Sequence, residues 1–116
     1  MRGHGPEHGV QLAILEFLAY KKIMAWRCNS GAAVFESNGR KRFVSFGRKG
    51  MSDILGILPG KVGGGRLLAI EVKAPKTGRV TPEQQDFLND INRHGGCAFV
   101  ARSVDDVQSW LDVVLA

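Results

Sequence analysis

Cysteine is scarce in this chain of 116 residues. The two present, Cys28 and Cys97, stand far apart, with neither a CxxC nor a Cys/His ligand spacing around them. They point to neither a zinc site nor a disulfide framework, and reduced thiols in a cytoplasmic compartment are expected. No apolar run approaches eighteen residues, and no basic n-region leads into an apolar h-region, so neither a membrane span nor a signal peptide is expected. There is no internal repeat, low-complexity tract or linker. A single domain over residues 1–116 follows, long enough to bury one core without staples. The glycine-rich stretch Pro59-Gly60-Lys61-Val62-Gly63-Gly64-Gly65 lacks the GK[ST] ending and the following helix of a phosphate-binding loop, and reads as a hairpin tip. Acidic residues are outnumbered, 11 Asp and Glu against 16 Lys and Arg, giving a net charge of +5. Such a balance favours a polyanionic partner, because phosphate contacts and counterion release supply most sequence-independent affinity for nucleic acid.

What is present begins with a helix over 6–22, where Val10, Ile14, Phe17 and Leu18 form an apolar stripe and Glu7, Gln11 and Leu15 an adjoining one. Short strands follow at 25–28, 33–36 and 42–46, broken by Asn29-Ser30-Gly31 and by Ser37-Asn38-Gly39, the latter a strong hairpin signal. Strands at 53–58 and 67–73 flank the glycine-rich tip. Thr81-Pro82-Glu83-Gln84 supplies a cap, a proline at the first helical position and an acidic first turn, predicting a helix to about residue 94. Gly95-Gly96 ends it, 97–101 reads as a buried strand, and Ser103 caps a last amphipathic helix through Trp110 and Leu111. Trp26 and Trp110 read as core residues.

Charged residues inside apolar strands carry the chemistry. Side chains two apart on a strand share a face, so Glu71 and Lys73 project together while Ile70 and Val72 enter the opposite layer. Asp53 opens the earlier run. If the two runs pair as neighbours, its carboxylate sits beside Glu71 and the two can share a divalent cation, a hard-oxygen site suited to Mg2+ or Mn2+. Placing Asp53 beside Ile54 and Leu55 would be costly without such a cation.

The order Glu7 on an opening helix, Gly50-x-Ser52-Asp53, Glu71-Val72-Lys73, Thr81-Pro82-Glu83-Gln84 and Gly95-Gly96-x-Ala98-Phe99-Val100 resembles the VRR-NUC family of the PD-(D/E)xK nuclease superfamily over nearly the whole chain. The resemblance implies an α/β fold with a restriction-endonuclease-like core, a central mixed β-sheet flanked by helices in the order α-βββ(β)-α-β-α. It implies a metal-dependent endonuclease that hydrolyses phosphodiester bonds in DNA. Asp53 and Glu71 are then the direct metal ligands, the Val72 carbonyl a third, and Glu7 an extra one; Lys73 orients or deprotonates the attacking water. Gln84, on the inward stripe with Phe87 and Ile91, is placed to bond a metal water or the scissile phosphate, with Gln85 as the adjacent alternative. Stand-alone members resemble Holliday junction resolvases, which implies a homodimer on a four-way junction. Its interface would come from Val107, Trp110, Leu111, Val113, Val114 and Leu115 or from the early hairpin. Other members cut flaps. The compact form suits a phage or bacterial genome.

Arg40, Lys41, Arg42, Arg48 and Lys49 before Asp53, and Lys76 and Arg79 after Glu71, are placed to neutralise phosphates rather than read bases. Arg27, Asn29 and Ser30 form a polar patch similar to the family's Asn-x-Gly element and can touch phosphate or build the turn. His4 and His8 belong to a frayed terminus. Two rival readings stand beside the nuclease: a basic DNA-binding module whose carboxylates are structural, and a restriction-type enzyme that reads sequence.

Overall fold

The computed structural model describes residues 5–28, 32–45, 47–60 and 63–116. The expectations on His4, Asn29, Ser30, Phe46, Lys61 and Val62 fall outside them. Helix α1 (Pro6–Tyr20) leads into β1 (Met24–Arg27), β2 (Ala32–Ser37), β3 (Arg40–Ser45), β4 (Ile54–Leu58) and β5 (Arg66–Val72). Helix α2 (Pro82–Arg93), β6 (Cys97–Ala101) and α3 (Val104–Val114) complete the chain. The boundaries lie within a few residues of those read from the sequence.

Four strands make the central sheet in the order β1-β4-β5-β6. The first three are antiparallel, and β6 joins β5 in parallel after the α2 crossover. The sheet is therefore mixed and flanked by helices, as expected. Among the described residues five strands precede α2, as read strand by strand from the sequence and more than the order α-βββ(β)-α-β-α implies, and β2 and β3 form a separate two-stranded sheet instead of joining the central one. The hairpin closes through Asn38 and Gly39, both at positive φ (53° and 77°), which is the turn that an Asn-Gly pair favours.

Strand alternation sorts the core into two layers. Leu68, Ile70 and Val72 face α1 and α3, packing with Ile14, Leu18, Phe99, Val107 and Leu111. Ala69 and Ala98 face α2 and meet Phe87 and Leu88. Neither tryptophan is a core residue. Trp26 is 39% and Trp110 46% exposed; Trp110 lays its indole on buried Phe99, ring centroids 5.1 Å apart, and keeps its other face wet. Val107 and Leu111 are committed to the core, which leaves Trp110, Val113 and Leu115 as the exposed apolar residues of the last segment. Both cysteines are free thiols. No helix among the described residues is long and apolar enough to cross a membrane.

Gly50 locks the loop before β4 against α2. Its φ is +83°, and a Cβ there would lie 2.3 Å from the Glu83 carbonyl oxygen and 2.8 Å from the Gln84 nitrogen. Neither backbone atom can yield without moving the first turn of α2. Gly50→Ala is expected to cost roughly 2–4 kcal/mol, from the strained φ and the clash together. A denaturant titration checks this, and an unchanged midpoint would refute it.

Candidate active site

The site is assembled at the ends of β4 and β5. Register pairs Ile54 with Ile70, so one step further brings Asp53 level with Glu71. The Asp53 carboxylate also reaches along β5, its Oδ2 accepting the Val72 N–H at 2.8 Å. Glu71 and Lys73 share a face as the alternation requires, with Lys73 Nζ 3.6 Å from Glu71 Oε2. Both are buried, Glu71 to 2% and Lys73 to 9% exposure. They are therefore not an ion pair on a wetted sheet face.

From the other side α2 supplies Gln84. Its capping box with Thr81 is complete: Gln84 N donates to Thr81 Oγ1, and Thr81 N donates to Gln84 Oε1 at 2.9 Å. The remaining amide nitrogen donates to Glu71 Oε2 at 3.1 Å. Gln85 turns away and bonds Asn89 on the exposed face. Gln84 is thus the glutamine that meets the site. With both amide atoms engaged inside the protein, it orients the Glu71 carboxylate.

Three buried side-chain atoms have no hydrogen-bond partner among the described residues: Glu71 Oε1, Ser52 Oγ and Gln11 Oε1. Orphaned polar atoms are costly, and in native folds they mark sites that something else completes. Burial pushes the Glu71 carboxyl up to about 8, the neighbouring Asp53 charge acts the same way, Lys73 opposes it, and Glu7 adds least. A carboxylate held with an unpaired oxygen beside a second carboxylate is a hard-oxygen donor set, and Mg2+ or Mn2+ fits it. Mg2+ typically takes one or two protein carboxylates and keeps its waters. No group of three or more His, Cys, Asp or Glu side chains gathers in metal-holding geometry among the described residues, so Glu7 does not complete a three-carboxylate cluster with Asp53 and Glu71.

Glu7 instead lines a cleft of about 420 Å³ with Gln11, Arg27, Ala74 and Thr77. His8 belongs to this wall too, on the first turn of α1 rather than in a frayed end. Gln11 is the residue for which the sequence reading found no role. Its signal was visible, since it precedes Ile14 and Leu18 by three and seven positions and so lies on the helix stripe that became buried.

The expected phosphate contacts divide. Arg40 and Arg42 are exposed on β3, two positions apart and so on one face, while Lys41 pairs in register with Glu36. Lys76 and Arg79 are exposed beyond β5. Arg48 is committed elsewhere: it ion-pairs with Asp90 and lies over the Phe87 ring at 5.4 Å. Lys49 stands 3.8 Å from Glu83. These two basic residues tie the loop to α2.

A carboxylate pair, Glu71 buried and Asp53 half-buried, with a lysine and an amide, in a basic chain on a mixed α/β sheet, is the equipment of a nuclease-type enzyme. Residues 6–105 match the VRR-NUC domain, most of the chain, and the chain belongs to that family. A nuclease-type function with DNA as substrate follows. No curated protein and no solved structure matches it.

Proposed function

We propose that this chain is a metal-dependent, structure-specific DNA endonuclease that hydrolyses phosphodiester bonds at four-way junctions as a homodimer. The observation that carries the catalytic part is Glu71: buried, flanked by Asp53, Lys73 and Gln84, and left with one oxygen that has no partner among the described residues. Asp53 and Glu71 are the residues that would hold Mg2+ or Mn2+, with the Val72 carbonyl and Glu7 as further candidates. When bound, a divalent cation supplies Lewis-acid stabilisation of phosphoryl oxygens and acidifies water. Gln84 fixes the Glu71 carboxylate, and the Val72 N–H fixes that of Asp53, so neither reorganises during the reaction. Lys73 brings a positive charge to the same face and offsets negative charge building on the phosphate. Lys73, on the same face, is the group placed to orient an attacking water or help take its proton.

Arg27 on the cleft wall, Arg40 and Arg42 on the hairpin, and Lys76 and Arg79 after β5 are the contacts we assign to the DNA backbone. The small size of the domain and the exposed Trp110, Val113 and Leu115 support a two-fold assembly that presents two sites to opposite strands. The test is cleavage of labelled four-way junction, flap, linear duplex and single strand with Mg2+, Mn2+ or chelator, beside the solution mass. Paired, symmetric, metal-dependent nicks on the junction by a dimer are expected. Flap cutting by a monomer would replace the junction reading. Fixed positions on linear duplex would replace structure specificity with sequence reading, and binding without any cut would remove the enzyme.

A further inference from the structure

Arg102, directly after β6, takes no part in the site described above, yet it is tied to the segment that follows Lys73. Its Nη1 donates to the carbonyl oxygens of Ala74 at 2.9 Å and Thr77 at 2.6 Å, and its Nη2 to that of Gly78 at 2.9 Å. The preceding residue holds the other end, since the Lys73 N–H donates to the Ala101 carbonyl at 3.0 Å. Between these two anchors the segment 74–78 turns back on itself. Gly78, at φ +86°, comes so near that a Cβ on it would lie 3.4 Å from Lys73 Cδ and 3.8 Å from Lys73 Cβ. The folded-back segment is therefore a cover over the alkyl stem of Lys73. Ala74 and Thr77, two of the residues whose carbonyls accept from Arg102, are also part of the cleft wall.

Arg102 is itself anchored. Its own N–H donates to Asp106 Oδ2 at 2.8 Å, and Asp106 N donates to Ser103 Oγ at 3.1 Å, so the first turn of α3 fixes the base of the side chain. A planar guanidinium offers five N–H donors in a rigid fork and can hold three carbonyls of one turn at once; an ammonium is a single point. Lysine, with its four-carbon flexible stem, needs such a cover if its charge is to stay in one place.

We infer that Arg102 is a positioning residue for Lys73: by clamping segment 74–78 through three carbonyls it holds the lysine stem and keeps Nζ beside Glu71. The kinetic part of this inference rests on the nuclease reading; the clamp itself does not. Misplacing a reacting group by about an ångström costs on the order of 10²-fold in rate, so Arg102→Met is expected to lower kcat by about 30- to 100-fold with KM for DNA within about threefold.

A double-mutant cycle separates positioning from general damage. If Arg102 acts through Lys73, Arg102→Met added to Lys73→Ala changes the remaining rate by less than about twofold, because the group it positions is gone. Arg102→Lys, which keeps the charge but not the fork, restores no more than about a tenth of the wild-type rate. It also provides a milder variant if the methionine does not fold. An activity-free measurement accompanies the cycle: trypsin cleavage after the exposed Lys76 and Arg79, expected to quicken about tenfold in the Arg102 variants at unchanged melting temperature. Losses that multiply in the cycle overturn the positioning role, and unchanged trypsin rates overturn the clamp. If wild-type protein cuts no DNA at all, the nuclease reading fails and the trypsin rates alone decide whether the clamp exists.

Discussion

Glu71→Gln and Asp53→Asn each abolish metal-dependent cleavage to below about 10⁻³ of the wild-type rate, with DNA binding retained. Both substitutions are isosteric. A glutamine at 71 can still accept from Gln84, and an asparagine at 53 can still accept the Val72 N–H, so the local hydrogen bonds of the site have replacements. What is lost is charge: each change removes one of the two carboxylates that can hold a hard cation, and loss of several kcal/mol of charge stabilisation corresponds to at least about 10³ in rate. The basic residues assigned to the phosphate backbone are untouched, so affinity measured in chelator is expected to stay within about threefold of wild type, phosphate contacts dominating affinity. Single-turnover cleavage and mobility shifts on the same preparations test this. Retention of cleavage within about tenfold by either variant would remove that carboxylate from the metal site, the loss expected for a ligand being far larger.

Stability falls as pH rises, and the cation reverses the fall. The Glu71 carboxyl is pushed up to about 8 from the ordinary 4.5, chiefly by burial and then by Asp53. Between those values the folded chain holds a proton that the unfolded chain has released, so unfolding releases it and becomes easier as pH increases. The stabilisation from a neutral buried Glu71 is fully present below the unfolded value and is lost as pH climbs through about 8. A shift this large corresponds to several kcal/mol, and in a chain of this size a melting temperature about 10 °C or more lower at pH 9 than at pH 5 is expected from this group alone. Glu71→Gln carries no proton to lose and flattens the profile. Mg2+ or Mn2+ added at pH 8 raises the wild-type melting temperature by mass action and leaves Glu71→Gln nearly unmoved. Thermal melts of both proteins from pH 5 to 9, with and without metal, decide the matter; parallel profiles for the two would show that Glu71 is not the titrating group.

Local rules account for much of the fold. The two-residue period of β5 dictated that Glu71 and Lys73 share a face opposite Ile70 and Val72. The Thr81-Pro82-Glu83-Gln84 cap set the start of α2, and Ser37-Asn38-Gly39 the turn of the hairpin. All of these act between residues a few positions apart, where backbone geometry leaves few choices. The family resemblance lay in the order of such elements, and residues 6–105 bear it out.

What the pattern could not supply is which distant surfaces meet. Strand periodicity says nothing about partners, so the separation of β2 and β3 from the central sheet and the pairing of β1 with β4 appear only in the fold. The stripe shared with Phe87 and Ile91 favoured Gln84 and left Gln85 as the adjacent alternative; the packing of α2 on the sheet turns the first to Glu71 and the second to Asn89 on the exposed face. Arg48 reads as a phosphate contact until α2 brings Asp90 and Phe87 against it. Trp110 reads as core until α3 is seen to rest on the sheet with one face of the indole outward.

The sequence by itself determined the residue types of the site and the face on which Glu71 and Lys73 stand, because alternation and capping are properties of the local backbone. Only the tertiary structure decided the buried orphan oxygens of Glu71 and Gln11, the orienting contact from Gln84 and the Arg102 clamp, because burial and partners are set by contacts between segments far apart in the chain.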